Sequence, residues 1–242
     1  MSEVFNLLLL AGGAFVASAL AAVTGFGGAA VLLPILVLVF GVRDAIPILT
    51  VAQLIGNGSR VWFNRSELVL PVVGWFAAGG VPAALVGGVF FATAPLGFLK
   101  RLLGIFLLAT VLYRHVGKTG AFRPSLHSFA GLGAIFSFLS ALLGSVGPIM
   151  APFFLAYGLV KGAYIGTEAF ATVVMHVTKL VAYGGASILT LQSVAAGLAL
   201  GPIMVFGSFI GKKILDRLPE LLFVLLIEGT LLVAGLGFLI FG

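Results

Sequence analysis

Apolar residues run through this 242-residue chain in long blocks, broken by glycine, proline and short charged clusters. Cutting at that punctuation gives segments near 5–24, 27–41, 45–63, 70–92 and 96–113, then a polar stretch, YRHVGKTGAFRPSLH, from Tyr113 to His127. Further segments follow near 128–143, 147–158, 162–186, 191–210 and 220–241. Several reach the about 18 to 20 residues that cross a bilayer as a helix, and the alternating ten-residue pattern of a membrane barrel is absent. The pattern predicts an all-α integral membrane protein with about eight to ten helical segments, some of them short or broken at Gly-rich turns.

The rhythm of the first half returns in the second. The two shortest blocks hold equivalent places, and TGFGGAAVLLP lies over LGSVGPIMAP, which pairs Gly25 and Gly28 with Gly144 and Gly147 at a spacing of 119 and Pro34 with Pro152 at 118. The chain therefore divides into a first membrane repeat over 1–114, a basic linker over 115–127 and a second repeat over 128–242, integrated as one membrane domain. Weak internal symmetry of this kind marks duplicated transporter folds, and Gly- or Pro-interrupted segments at matching positions point to the binding site.

Charge adds orientation. Arg114, Lys118 and Arg123 in the linker, with Lys212, Lys213 and Arg217 near the last segment, place both regions on the cytoplasmic side by the positive-inside rule. Lys100 and Arg101, one helix away from the linker, run against that assignment. If every segment crosses, each half has five helices; if each short pair is a re-entrant hairpin, each half crosses three times. Either odd number makes the repeats inverted, with both termini on the non-cytoplasmic side.

Composition narrows the function classes. Of all residues 61% are hydrophobic and 8% charged, with mean hydropathy +1.27, far from a soluble domain. The net charge of +6 belongs to the loops, so no nucleic-acid partner is expected. Without cysteine there are no disulfides and no Cys-ligated metals, and neither a metal nor another cofactor is expected. The start, MSEVFNLLLL, carries Glu3 and no basic residue, so it reads as helix rather than as a cleaved leader. HExxH is missing and no aspartate lies deep in a segment, which sets aside an intramembrane hydrolase or oxidoreductase; GxxxxGK[ST] is missing too, so an ion gradient or the solute's own gradient must supply the energy.

Against this background FATVVMHVTKLVA, from Phe170 to Ala182, stands out. Glu168, Thr172, His176 and Lys179 fall on one helical face. The positions 119 residues earlier are Leu49, Gln53, Asn57 and Arg60, again largely polar and again ending in a cation. A cation in hydrocarbon is costly and normally faces a protein interior or aqueous cavity with a partner. Three readings of these cations follow: binding an anion, pairing with a carboxylate (Lys179 with Glu168 or Glu228), or, for Arg60 beside Asn64 and Arg65, snorkelling to the interface. The Gly-rich turns, Gly25, Gly27 and Gly28 in one half and Gly144, Ser145 and Gly147 in the other, would expose helix N-terminal N–H groups to an anion, or would serve close helix packing, the role also expected of GSFIG from Gly207 to Gly211.

GFGGAAVLLPIL followed by GVRDAIPILT, with its counterpart LGSVGPIMAPFFLAYGLVKGAYIGTEAF, resembles the sulfite exporter TauE/SafE family over nearly the whole chain. The resemblance implies two homologous halves and movement of sulfite, organosulfonates or other sulfur oxyanions across a membrane, commonly outward. Pro148 stands where that pattern has a glycine, so the two turns need not be equivalent.

The expected function is a secondary transporter of a small sulfur-containing anion, such as sulfite or sulfoacetate, in the inner (plasma) membrane. Arg60 and Lys179 would supply charge, Gln53, Asn57, Thr172 and His176 hydrogen bonds, and the glycine turns the cap. His176, Glu168 and Glu228 are candidate proton carriers. A passive anion channel or a non-transporting membrane regulator would fit the same composition. The expected partners are the anion, the lipid bilayer and, for the oligomer, a second copy of the chain as a homodimer.

Overall fold

In hydrocarbon a chain must satisfy its own N–H and C=O groups, and each apolar block that can be followed does so as a helix. The computed structural model describes residues 3–26, 28–116 and 123–214. In order these form α1 (Glu3–Thr24), α2 (Gly28–Phe40), α3 (Val42–Phe63), a 3-10 turn at Arg65–Glu67, α4 (Leu70–Thr93), α5 (Leu96–Val116), α6 (Ser128–Leu143), α7 (Gly147–Ala156), α8 (Lys161–Gly185) and α9 (Leu191–Ile214). No strand occurs among the described residues. These helices follow the sequence blocks within a few residues. The block near 220–241, with Glu228, and the positions Gly27, Lys118 and Arg217 lie outside the described residues, as do the side chains of Arg114, Lys212 and Lys213.

Glu3–Ala22 within α1, all of α4 and α8, and Leu191–Gly211 within α9 are long and apolar enough to cross a bilayer. Helices α2 and α7 have 13 and 10 residues. At 1.5 Å per residue they reach about 20 and 15 Å, short of the about 30 Å of a hydrocarbon core, so neither crosses alone. Exposed Leu7, Leu8, Val86, Val181 and Leu191 give the outer surface the apolar character that lipid requires.

The helices pack α4 on α6, α1 on α9, α3 on α9, α4 on α8, and α3 on α8. Exchanging α1 with α6, α3 with α8 and α4 with α9 turns this set of pairings into itself. Lipid tails are as apolar as leucine, so close approach rather than water exclusion holds such helices together. A Cβ at Gly87 would lie 2.9 Å from the Phe138 carbonyl on α6, and one at Gly207 would lie 2.7 Å from the Phe15 carbonyl on α1. The GSFIG run is thus a packing surface. Two buried clusters flank the centre, one around Leu32, Leu33, Leu36, Ile46 and Leu49, the other more aromatic, with Phe129 edge-on to Phe154 at 5.0 Å.

Candidate anion-binding site

The break between α1 and α2 begins with Gly25, whose φ of 77° is the left-handed conformation that commonly ends a helix. Its N–H donates to the Ala21 carbonyl at 3.0 Å. The break between α6 and α7 has the same construction: Gly144 has φ 78° and its N–H donates to the Ser140 carbonyl at 2.9 Å. The carbonyls of a last helical turn carry the negative end of the helix dipole, and beyond the cap bond each keeps a second acceptor site. Each is met by a cation from the helix two elements later. Arg60 Nη1 donates to Ala21 O at 3.1 Å and to Gly25 O at 2.7 Å, and Lys179 Nζ donates to Ser140 O at 3.4 Å and to Ser140 Oγ at 3.0 Å. Ala21, Gly25 and Arg60 thus stand as Ser140, Gly144 and Lys179 do 119 residues later, each set with the glycine cap and a cation on the capped carbonyl; the cations differ in their second acceptor, Gly25 O for Arg60 and Ser140 Oγ for Lys179.

Because α3 packs on α8, the two polar stripes come together between the breaks. They enclose a cavity of about 40 Å³. Gln53, Asn57 and Arg60 line it from α3, Glu168, Thr172 and His176 from α8, Gly25, Phe26, Gly28 and Ala29 from the first break, and Gly144, Ser145, Val146 and Gly147 from the second. The breaks touch one another, since a Cβ at Gly147 would stand 3.0 Å from the Phe26 Cβ. Tyr164 covers Gly25 from α8, with its ring and hydroxyl 2.6–2.7 Å from where a Cβ would be.

The cavity combines charge with unused donors. Arg60 Nη1 and Glu168 Oε2 form an ion pair at 3.9 Å, Arg60 Nη2 donates to Asn57 Oδ1, and Thr172 Oγ1 donates to Glu168 Oε1 at 3.2 Å. Gln53 Nε2 and His176 Nδ1 are buried without a hydrogen-bond partner. Buried polar groups in folded proteins are almost always paired, and these two unpaired atoms belong to residues that line the cavity. The first turn of α2 adds N–H groups with no intrahelical acceptor, at Gly28 and Ala29. Helix α7 offers fewer, because Pro148 in its first turn has no N–H. The free helix N–H groups at the cavity are therefore more numerous at the first break.

Of the residues singled out in the sequence, Gly25, Gly28, Gln53, Asn57, Arg60, Gly144, Ser145, Gly147, Thr172 and His176 all border the cavity, as does Glu168. Lys179 is fully buried but lies outside the lining, behind Ser140. Arg60 is buried rather than snorkelling, and Glu168 pairs with Arg60 across the halves instead of with Lys179. Ser140, Met150, Met175 and the cover by Tyr164 were not legible from polarity. Ser140 carried a signal nonetheless, because the spacing of 119 maps it onto Ala21, in the last turn before the first break.

The chain matches the family described as Sulfite exporter TauE/SafE over residues 9–238. No curated protein and no solved structure gives a significant match. With nearly its whole length matched, this all-helical membrane chain belongs to the sulfite exporter TauE/SafE family.

Proposed function

We propose that the protein is a secondary transporter, working as an exporter, that carries small sulfur oxyanions through the cavity between α3 and α8 by alternating access. One observation carries the reading: both Gly-rich breaks converge on one cavity whose lining includes two buried polar atoms, Gln53 Nε2 and His176 Nδ1, with no protein partner. The breaks bring helix N-terminal N–H groups and the α3 stripe brings a guanidinium, the combination that suits an oxyanion. At about 40 Å³ the cavity holds little more than a water, so in the alternating-access reading it widens to admit sulfite or the sulfonate end of a larger molecule. The repeated caps and the pairing of helices that survives exchange of the halves support a twofold repeat, which an odd number of crossings per half would make inverted, the two halves rocking about the site in the inner membrane. A channel would use the same residues, and unitary currents in a bilayer would favour it over a carrier.

Purified protein in liposomes is expected to move sulfite or a sulfonate with saturable, carrier-like rates. Failure of every sulfur oxyanion to bind or cross would refute the proposal. Within it, Lys179 adds positive potential from behind Ser140 without touching the anion. Lys179→Met is expected to weaken sulfite binding by about 1 kcal/mol, less than truncating one side of a hydrogen-bonded charge pair costs, because Ser140 stands between Lys179 and the cavity. Unchanged affinity in a well-folded variant would leave Lys179 only the task of holding the end of α6.

The orientation is open to a separate test. The chain has no cysteine, and Ser125 before α6 is exposed, so a single Ser125→Cys gives a clean label site. It is expected to react only from the cytoplasmic side; labelling from outside alone would invert the topology.

A further inference from the structure

We propose that Glu168 takes up a proton whenever an anion enters the cavity, so that anion and proton occupy the site together. This deepens the transport reading above and rests on it. Glu168 is 2% exposed and lines the cavity; its Oε2 is buried with no hydrogen-bond partner, while Oε1 accepts from Thr172. Its cation, Arg60, stands 3.9 Å away with Nη1 directed at the carbonyls of Ala21 and Gly25 and Nη2 at Asn57. The carboxylate therefore has a positive charge beside it but no hydrogen bond from it.

An anion arriving next to an ionised Glu168 would put two negative charges into one enclosed space lined by a single guanidinium, which low dielectric penalises. A proton on Oε2 removes the conflict. It leaves the charge of Arg60 to the anion and turns an orphaned acceptor at the cavity wall into a donor. The proton comes from solvent and returns to it on release, and no other bond changes.

The surroundings hold few competitors. From α3, Arg60 is the ionisable group at the cavity, and α4 and α7, which also pack on α8, contain no ionisable residue. On the 3-10 turn, Arg65 and Glu67 are exposed, Glu67 lying against Gly162. Helix α8 itself carries Tyr164 above Gly25, His176 in the cavity and Lys179 on Ser140. A proton on His176 would create a further cation on a helix that already holds Lys179 and faces Arg60. The carboxylate is the seat that the charge balance favours.

The test uses full-length purified protein in weakly buffered detergent solution. The probes are methanesulfonate and sulfate, which carry no proton near neutral pH, and sulfite corrected for its own titration. Binding is expected to draw protons from solution, read by an indicator dye, and affinity is expected to fall about tenfold per pH unit on the alkaline side, the slope for one linked proton. Glu168→Gln should bind with neither proton uptake nor slope, and His176→Asn, which copies Asn57 of the first half, should keep both. If Glu168→Gln does not fold, the wild-type proton count still decides. Binding by the wild-type protein without proton uptake overturns the proposal, as does uptake that persists in Glu168→Gln and vanishes in His176→Asn. No binding of any of the three anions at any pH defeats the transport reading, and this one with it.

Discussion

Replacing Arg60 with methionine is expected to abolish anion transport and to destabilise the protein by about 3 to 5 kcal/mol, the typical cost of removing one partner from a buried ion pair. Methionine keeps much of the stem volume and removes the guanidinium. Three things are lost together: the hydrogen bonds to Ala21 and Gly25 that close the end of α1, the bond to Asn57, and the charge that accompanies buried Glu168. The effects on stability and on transport separate in the double variant. Adding Glu168→Gln removes the stranded carboxylate, so Arg60→Met/Glu168→Gln should recover part of the lost thermal midpoint in detergent while still failing to bind sulfite. Wild-type affinity in a well-folded Arg60→Met protein would show that the guanidinium serves only as a helix cap.

Gly25→Ala is expected to cost about 2 to 4 kcal/mol and most of the transport rate, whereas Gly144→Ala should cost about 1 to 2 kcal/mol. Both glycines have the same left-handed backbone, φ 77° and 78°, so the strain of placing an L side chain there is common to them. The difference lies in what the new methyl group meets. At Gly25 it would stand 2.6–2.7 Å from the ring carbons and hydroxyl of Tyr164, and relieving that overlap means moving a bulky aromatic beside the cavity. At Gly144 the nearest atom is Leu49 Cδ2 at 3.1 Å, the end of a flexible side chain. Thermal midpoints and sulfite uptake for the two variants measure the contrast, and equal losses would show that backbone strain, not the packing of Tyr164, dominates at both breaks.

The near-duplicate design of the breaks and the divergence of their walls bear on how such a site works. Ala21 and Ser140 accept equivalent bonds from Arg60 and Lys179, yet Ser140 also accepts through its hydroxyl, which places a polar side chain between Lys179 and the cavity. Phe26 occupies the place that Ser145 has in the second break, and Pro148 removes an N–H that α2 retains. One half therefore brings a guanidinium and helix N–H groups to the cavity. The other contributes Glu168, His176 and Thr172, with Lys179 at one remove.

Helix positions could be read from the chain because backbone in hydrocarbon must close its own hydrogen bonds, so the length and spacing of apolar blocks leave little choice. The stripes Gln53–Asn57–Arg60 and Glu168–Thr172–His176–Lys179 were likewise readable, since a period near 3.6 assigns residues to a face of their own helix. Periodicity does not say which faces meet, nor where a long side chain ends. Those followed from the packing of α3 on α8, which sends Glu168 to Arg60 across the halves and Lys179 back to Ser140, out of the cavity its sequence position had suggested. The cover of Gly25 by Tyr164 had the same origin: two residues 139 positions apart become neighbours only when helices from both halves close around one point.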